Sequence, residues 1–471
     1  MTRGRLVVHG HFYQPSRIDP FSGTVPADPT AAPAHDWTAR VDADCYRPNA
    51  ERGNLARMSW DLGPTLAAWL EAHDPVAYRG FVAGDGGVNG LAQSYHHSIL
   101  PLASSADRRT EIRWGLRDFA RRMGRPATGA WLPETAVDIP TLEALADEGI
   151  THTILAPWQV QETALDTRRP YRLALPDGRH LVVALYDGAL SAAVSFHPEA
   201  TSDADRFLSD QVRHRIDADH LPDDERPLVV IATDGELYGH HQPFRELFLE
   251  RLLASASPDG SEEHAEVVTL ASAVAEDPAR PFRRATVRER TSWSCHHGVA
   301  RWSGPCGCAP DGRWKAPLRT ALDRLAGGID AATERLVGGL PGHPDLWALR
   351  DRYVDVVIGA EDEEAFAATA LGRGASADDR RILMYVLDAQ RWRLAMFASD
   401  GWFWDDPVRP ETASILRAAA KAARTVDRIA GTGAERRLVA DLAAVRSPGY
   451  GIDGAEIYHQ ALEAVGQPGP A

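Results

Sequence analysis

The stretch LVVIATDGELYGHH, residues 228–241, contains the pattern that best defines the fold. Residues 228–232 are apolar on both faces of an extended chain, which is typical of a strand in a parallel sheet covered by helices. Asp234 and Glu236 follow at once, and His240 and His241 end the stretch. A buried strand that ends in polar side chains indicates an α/β protein with a site at the carboxyl ends of its strands.

The same alternation of strand and helix patterns extends over roughly the first 290 residues. Helix patterns cover residues 139–148 and 244–253, whereas residues 16–49, rich in Pro, Asp, Ala and Thr, predict a long extended loop, and residues 78–83 fit neither pattern well. Strands alternating with helices favour an α/β barrel or a doubly wound sheet. The predicted strands are residues 5–8, 128–131, 151–156, 181–185, 228–232 and 267–270.

The C-terminal third has a different pattern. Leu318, Leu322, Leu325 and Ile329 are spaced by four, three and four residues, which marks an amphipathic helix. Further helices are predicted over residues 346–358, 377–398, 412–429 and 435–445. We therefore expect three parts: an α/β domain over residues 1–290, a junction loop bearing Cys, His and Trp over residues 291–314, and a helical domain over residues 315–471.

The composition excludes several classes of protein. The chain has 471 residues, 44% of them hydrophobic, which is too apolar for a disordered chain. Its 51 Lys and Arg against 66 Asp and Glu leave a formal charge of -15, which argues against nucleic acid as a partner. The apolar run at residues 6–8 is too short for a signal segment, and no stretch is long enough for a membrane span. We expect a cytoplasmic protein, whose oligomeric state the sequence leaves open.

Three predicted strands end in polar clusters. The first leads into HGHFYQP (residues 9–15), the second into LPET with Glu134, and the third into Asp234. Two carboxylates can cleave a glycosidic bond, one attacking the anomeric carbon and the other protonating the leaving oxygen. Glu134 and Asp234 form the natural pair, and Glu236 is a rival for the second role. Neighbouring Trp and His side chains suit sugars, since rings stack on pyranose faces and imidazoles bind hydroxyls.

These motifs resemble glycoside hydrolase family 57, in particular a bacterial branch opening with HGHFYQP. The resemblance rests on HGHFYQP, on AWLPE, which ends in Glu134, and on TDGELYGHH, which contains Asp234; GVNGLAQSYHHSILPL, with Gln93 and His96, matches less well. TSWSCHHGVARW and MFASDGWFWDD look like blocks of the same branch.

The resemblance implies an incomplete (β/α)7 barrel followed by helices, and retaining action on α-glucans as in α-amylases, 4-α-glucanotransferases, branching enzymes and amylopullulanases. Glu134 would be the nucleophile and Asp234 the general acid/base, with their carboxyl groups about 5–6 Å apart. The expected substrate-binding residues are His11, Gln14, His97, Trp131, Glu236, His240, His241, Trp293 and His297. No metal or other cofactor is predicted.

Several roles stay open at this level. His9 is as compatible with a structural histidine as with a ligand-binding one. One of His240 and His241 is expected in the site and the other in a structural role. Trp131 fits a core residue or a sugar platform, whereas Trp402 and Trp404 favour packing between the helical domain and the barrel over the edge of a sugar cleft.

Three cysteines lie close together in the junction. Cys295, followed by His296 and His297, precedes Cys306 and Cys308, a spacing unlike the C-x2-C of common zinc sites. Three thiols and two imidazoles could supply four ligands, but we favour a reduced loop without metal.

Two other functions remain alternatives. One is a zinc-dependent carbohydrate enzyme, a deacetylase or mannosidase on a related barrel, with His9, His11, Asp85 and Asp234 as ligands. The other is a catalytically silent glucan-binding protein.

Overall fold

The computed structural model describes residues 4–163, 165–216, 226–255, 265–275, 281–308, 310–372 and 374–463. Within these ranges, ten strands lie in the first two thirds of the chain. They are β1 (Arg5–Phe12), β2 (Ser59–Leu62), β3 (Gly90–Gln93), β4 (Ala130–Trp131), β5 (His152–Leu155), β6 (Tyr171–Ala174), β7 (His180–Leu185), β8 (Leu228–Asp234), β9 (Glu266–Val267) and β10 (Arg284–Ala285).

Helices separate many of these strands and make up the end of the chain. They are α1 (Trp37–Val41), α2 (Arg47–Glu51), α3 (Pro64–His73), α4 (Pro75–Gly84), α5 (Ser105–Met123), α6 (Ile139–Asp147), α7 (Gly188–Phe196), α8 (Ala204–Phe207), α9 (Arg213–Ile216), α10 (Arg245–Ser255), α11 (Leu270–Ala273), α12 (Lys315–Gly338), α13 (Leu346–Arg352), α14 (Val354–Val357), α15 (Glu363–Leu371), α16 (Ala377–Ala395), α17 (Pro410–Ala430), α18 (Ala434–Leu442) and α19 (Gly454–Glu463). None of the helices in these ranges combines the length and apolar character that a membrane crossing needs.

The strands form two sheets. The larger has the order β4-β3-β2-β1-β8, with β9 also pairing with β1, and every pair in it is parallel. The smaller has the order β10-β6-β7-β5, in which β6 and β7 are antiparallel. A parallel bridge between Gly129 and His152 joins the start of β4 to β5, and the Asp187 amide after β7 donates to the Val230 carbonyl of β8. The two sheets are thus connected at both sides.

Both faces of the central strands are buried, as their unbroken apolar runs predict. Leu6 and Val8 of β1 pack with helix residues in one core cluster, whereas Val7 between them faces a second cluster. That second cluster collects side chains from strands of both sheets, including Leu91 of β3 and Ile154 of β5. The face with Val7 therefore points toward an interior shared by the two sheets.

The chain divides into two compact units. The first consists of residues 1–14, 28–94 and 119–293, and the second of residues 15–27, 95–118 and 294–471. A separate hydrophobic core, which includes Trp114, Leu349, Phe366 and Leu387, belongs to the second unit. A parallel α/β sheet followed in the chain by a helical region agrees with the predicted fold class.

Some local predictions are wrong. Residues 37–49, placed in a long loop, are helical (α1, a π-helical turn, the start of α2), because the Asp36 side chain accepts hydrogen bonds from the amides of Thr38 and Ala39 and so caps the first turn. Residues 78–83 belong to α4, which Asp74 caps in the same way. The strand expected at 267–270 ends at Val267, and helix α11 begins at Leu270.

Candidate active site

Two histidines of β1 share one carboxylate of the neighbouring strand. Asp61 Oδ1 lies 3.1 Å from Nε2 of His9, and its Oδ2 lies 2.9 Å from Nδ1 of His11. Ser59 and Gln93 complete the network: the Ser59 hydroxyl lies 3.0 Å from His9 Nδ1, and the Gln93 amide donates to Asp61 Oδ2 over 2.9 Å. All five side chains are buried. The network therefore holds His11 in one orientation at the carboxyl end of β1.

The two histidines have opposite electrostatic behaviour. Burial lowers the pKa of His9, although Asp61 opposes the shift. Burial also disfavours the charged form of His11, but the charge and hydrogen bond of Asp61, with further contributions from Asp234 and Glu236, outweigh it and raise the pKa of His11 to about 9. His11 is therefore a cation at neutral pH, placed among carboxylates.

The register of the sheet brings Asp234 to the same place. In the parallel ladders of β1, His11 lies opposite Asp61 of β2 on one side and opposite Asp234 of β8 on the other. Asp234, the last residue of β8, is exposed to solvent, but the protein atoms around its carboxyl group exclude part of the surrounding water. This desolvation raises its pKa, against the opposing charges of His11 and His241. A carboxyl group with a raised pKa is suited to hold a proton for a leaving group.

Glu236 lies in the 3-10 turn that follows β8, and its side chain is buried. The Tyr46 hydroxyl donates to Glu236 Oε1 over 2.6 Å, and the backbone amide of Tyr13 donates to the same oxygen over 3.3 Å. Burial, reinforced by the charge of Asp234, raises the pKa of Glu236 to about 7. Glu236 is thus bound to protein groups, and the charge of Asp234 acts on it.

Glu134 lies on a strained turn after β4. Its φ is 56° and that of Thr135 is 45°, a left-handed conformation that is uncommon for residues other than glycine. Buried Gln159 holds the turn through bonds to both the hydroxyl and the carbonyl of Thr135. The Trp293 indole donates to Glu134 Oε2 over 3.2 Å, and the Trp293 amide donates to the Glu134 carbonyl over 3.1 Å. The carboxylate is therefore both half-buried and oriented.

An aromatic cluster connects the two carboxylates. The buried Trp131 ring stacks on His11, with ring centroids 5.1 Å apart, and meets Trp293 edge-on at 5.0 Å. Trp293 in turn lies 6.3 Å from Tyr186, whose pKa is raised by burial and by the charge of Asp234. Thus Glu134, through Trp293, and Asp234, through Tyr186 and His11, border the same group of rings.

Two buried polar atoms of this cluster have no hydrogen-bond partner among the described residues: Gln93 Oε1 and Trp131 Nε1. Gln93 and Trp131 are register partners in β3 and β4. An unsatisfied buried acceptor and an unsatisfied buried donor on neighbouring strands are costly for the empty protein. Both suit a ligand that carries hydroxyl groups.

Three other predicted residues of this unit lie close to the carboxylates. The Gln14 side chain hydrogen-bonds to the Tyr46 hydroxyl that binds Glu236. The His240 Nδ1 lies 2.9 Å from Asp44 Oδ2 and so has an acidic partner. His241 acts on Asp234 through its charge, and burial lowers the pKa of His241.

The second unit contains the other predicted residues. His96 binds Glu111 through its ring and its amide, and the His97 ring lies 2.7 Å from the Ser399 hydroxyl. His297 lies beside the cysteines of residues 295–308. Trp402 is buried and stacks on the Phe397 ring, whereas Trp404 is exposed, with the Arg409 guanidinium over its ring.

Asp85 does not belong to this group of side chains. Both of its carboxylate oxygens accept hydrogen bonds from Arg125, and it also binds the amides of Gly87 and Gly90 ahead of β3. Asp85 therefore lies near the amino end of a parallel strand, away from the end that carries His11 and Asp234. A zinc site composed of His9, His11, Asp85 and Asp234 is not favoured.

Sequence reasoning missed Asp61, Tyr46 and Tyr186 as members of the site. The signal for Asp61 was a lone carboxylate inside the short apolar stretch SWDLG, at residues 59–63. A charged residue within an otherwise apolar stretch needs a buried partner, and the paired histidines of β1 supply it. Tyr46 and Tyr186 carried no comparable signal.

The family comparison agrees with this geometry. Residues 71–283 match Glycosyl hydrolase family 57, and residues 311–465 match a domain of unknown function, DUF3536. The match over residues 71–283 confirms the resemblance to this family seen in the motifs of the sequence. A curated α-amylase of Pyrococcus horikoshii is 26% identical over 221 residues, or 45% of this chain, and the chain spans 33% of that relative's length.

Solved structures share the fold over nearly the whole chain. An exo-type maltose-forming amylase from Pyrococcus sp. ST04 superimposes with a TM-score of 0.73 at 15% identity, covering 97% of this chain and 88% of that one. A branching enzyme of family 57 from Pyrococcus horikoshii gives 0.59 at 15% identity, covering 98% and 94%. A 4-α-glucanotransferase from Thermococcus litoralis gives 0.57 at 15% identity, covering 90% and 60%.

Proposed function

We propose that this protein is a retaining glycoside hydrolase or transglycosylase that acts on α-glucans. The observation that carries the proposal is that Glu134 and Asp234, from two different strand ends, border one cluster formed by Trp131, Trp293 and Tyr186. Aromatic rings beside carboxylates suit pyranose substrates. The family match and the names of the similar proteins, an α-amylase, a branching enzyme and a 4-α-glucanotransferase, support the same substrate class.

The proposed catalytic fold is an incomplete (β/α)7 barrel. The seven parallel strands β1, β2, β3, β4, β5, β7 and β8 support it, because backbone pairing connects them in the series β8-β1-β2-β3-β4-β5-β7 and one further bond joins β7 to β8. The core cluster that faces inward also draws side chains from six of these strands. Active sites of such folds lie at the carboxyl ends of the strands, where Glu134 and Asp234 are found.

The first half of the reaction uses both carboxyl groups. The Glu134 carboxylate attacks the anomeric carbon while the bond to the glycosidic oxygen breaks, and protonated Asp234 gives its proton to that oxygen. The turn that holds Glu134, together with the Trp293 bond to its Oε2, fixes the attacking oxygen. Desolvation raises the pKa of Asp234 and so favours the protonated form that this step needs.

The second half releases the sugar. Asp234 removes a proton from water or from a sugar hydroxyl, the new oxygen attacks the anomeric carbon, and the ester to Glu134 breaks. The charge of His11 acts on Asp234, and the charge of Asp234 acts on buried Glu236. Gln93 Oε1 and Trp131 Nε1 supply an acceptor and a donor for substrate hydroxyls.

The test is to incubate the purified protein with maltooligosaccharides and with glycogen, and to resolve the products by chain length and linkage. We expect shortened or rearranged α-glucans, released with retention of anomeric configuration as followed by proton NMR. A complex with an oligosaccharide should show the two carboxyl groups about 5–6 Å apart. Inverted products, or a separation near 10 Å, would contradict the mechanism, and an absence of products would favour a glucan-binding protein.

A further inference from the structure

Four side chains of the second unit converge in the segment before α12. The Cys295 sulphur lies 4.0 Å from that of Cys306 and 3.6 Å from that of Cys308. Nδ1 of His297 lies 3.4 Å from the Cys308 sulphur and 3.9 Å from the Cys295 sulphur. One atom from each of the four residues lies within 4.8 Å of all the others. No disulfide joins these three cysteines, since a disulfide would bring two sulphurs to about 2.05 Å.

These separations match tetrahedral zinc. With Zn–S distances of about 2.3 Å and Zn–N distances of about 2.0–2.1 Å, a regular tetrahedron separates two sulphurs by about 3.8 Å and a sulphur from a nitrogen by about 3.6 Å. Two of the three sulphur pairs, at 3.6 and 4.0 Å, and two of the three sulphur–nitrogen pairs, at 3.4 and 3.9 Å, lie close to these values. An ion at the centre requires only small adjustments of these side chains.

Gly307 explains the unusual spacing of the cysteines. It separates Cys306 from Cys308, and a Cβ atom at this position would lie 3.1 Å from Cε1 and 3.2 Å from Nε2 of His297. The backbone between the two cysteines therefore passes directly against the imidazole ring. A glycine there allows both sulphurs and Nδ1 of His297 to approach one point.

The charges around the group also fit. Three thiolates and one Zn²⁺ leave a net charge of -1, which a nearby cation would offset. Lys315 is fully buried, its Nζ has no hydrogen-bond partner in the described ranges, and Cys306 and Cys295 are among the groups whose charges act on it. The Arg301 side chain hydrogen-bonds to Cys308. Asp405 is one counter-charge for this buried lysine, and a negative metal centre would supply a second that neutral thiols cannot.

We propose that Cys295, His297, Cys306 and Cys308 bind one Zn²⁺ ion. Soft thiolate and imidazole ligands select zinc over calcium or magnesium, and four protein ligands leave no open position for catalysis, so the ion has a structural role. It holds together a segment that has little regular secondary structure ahead of α12. A zinc site replaces the metal-free loop expected from the spacing of the cysteines. The zinc proposal does not depend on the proposed glycosidase activity.

The first experiment measures metal content. The full-length protein, purified without a metal-affinity tag or chelator, should contain about one zinc per chain by mass spectrometry of the elements. Cobalt in place of zinc should give the visible absorption of tetrahedral thiolate coordination. The double variant Cys306→Ser/Cys308→Ser should lose the metal, whereas His296→Ala, which alters the neighbouring imidazole outside the group, should keep it.

A second measurement on the unmodified protein guards against a variant that fails to fold. Cys308 is exposed, so a free thiol there would react quickly with iodoacetamide. We expect protection of Cys306 and Cys308 in the purified protein and rapid labelling of both after chelation, as mapped by peptide mass spectrometry. Rapid labelling before chelation, no uptake of zinc or cobalt, equal zinc in the double variant, or iron with labile sulphide in place of zinc would overturn the proposal.

Discussion

The two polar clusters of this molecule are assembled in opposite ways. The carboxylate site gathers His11, Asp61, Glu134 and Asp234 from four strand ends that are far apart in sequence. The cysteine cluster takes all its ligands from residues 295–308, a single segment of the second unit. The first depends on the register of a parallel sheet, and the second on the local path of a loop.

This difference shows which features each site tolerates. The carboxylate site depends on the register of the sheet and is therefore insensitive to small changes in any one loop. Its members are held by buried partners on other strands, as Asp61 is between two histidines. A site built on one loop depends on backbone details such as Gly307. Substitutions in the carboxylate site should therefore change turnover and protonation. Substitutions in the cysteine cluster should change metal affinity.

The largest effect is expected from Glu134→Gln. The amide cannot form the glycosyl ester, so kcat should fall by at least about 10⁴-fold while thermal unfolding stays unchanged. The matched control is Glu143→Gln, the same chemical change on helix α6. Glu134 would lose its assigned role if the variant kept more than a tenth of the wild-type rate.

Asp61→Asn should have the next largest effect. It removes the charge that raises the pKa of His11 to about 9, and activity should fall by about 10- to 100-fold. Because this folded pKa lies above the ordinary value of about 6.5, the stabilisation is complete below pH 6.5 and is lost as the pH rises through 9. Urea unfolding at a series of pH values should show this loss in wild type and not in the variant.

Asp177→Asn, at an exposed ion pair, is the control for that experiment. It should leave the decline between pH 6.5 and 9 as in wild type. The same decline in Asp61→Asn would mean that Asp61 does not set the charge of His11.

Glu236→Gln should lower kcat by about tenfold, since it removes a charge beside Asp234 but not a reacting group. Burial raises the pKa of Glu236 to about 7, so its proton favours the folded state, and this contribution is complete below about pH 4.5 and is lost as the pH rises through 7. The difference in unfolding free energy between variant and wild type should therefore change across this window. A constant difference would contradict the assigned ionisation.

Trp293→Phe keeps an aromatic ring but removes the indole bond to Glu134 Oε2. Loss of one hydrogen bond to a charged group should reduce kcat/KM by about fivefold. Trp347→Phe is the control, because that indole also donates to a glutamate, Glu334, but in the second unit. Equal effects of the two substitutions would show that the Trp293 bond has no special role in turnover.

The smallest effect concerns the loop. Gly307→Ala places a Cβ 3.1 Å from the His297 ring, and because the loop is exposed and can shift slightly, zinc affinity should weaken by only about threefold. In Gly304→Ala the new Cβ meets only the Ala316 Cβ, at 4.0 Å, so competition with a chelating dye should give the wild-type affinity. If Gly307→Ala weakened zinc binding no more than Gly304→Ala does, the close approach of residue 307 to the His297 ring would be contradicted.

Long apolar runs made much of the fold predictable. Strands β1, β5, β7 and β8 and the C-terminal helices follow directly from hydrophobic periodicity. Strands β2 and β3 have only four residues each, and β2 carries Asp61, so neither shows a recognisable pattern. Helix α5 was missed because its many arginines obscure the apolar face that buries Trp114. Such short strands form because neighbouring strands of the sheet pair with them, and a single sequence does not reveal these neighbours.

The sequence by itself determined the fold class, the resemblance of residues 71–283 to glycosyl hydrolase family 57 and the choice of Glu134 and Asp234 as candidates, because buried strands and the motifs at their ends are local features. Only the tertiary structure decided that Asp61 lies between two histidines, and that His96 and His97 bind Glu111 and Ser399. It also brought three sulphurs and a ring nitrogen within 4.8 Å of one another. Register, burial and loop path set such distances, and none of them can be read from the spacing of residues along the chain.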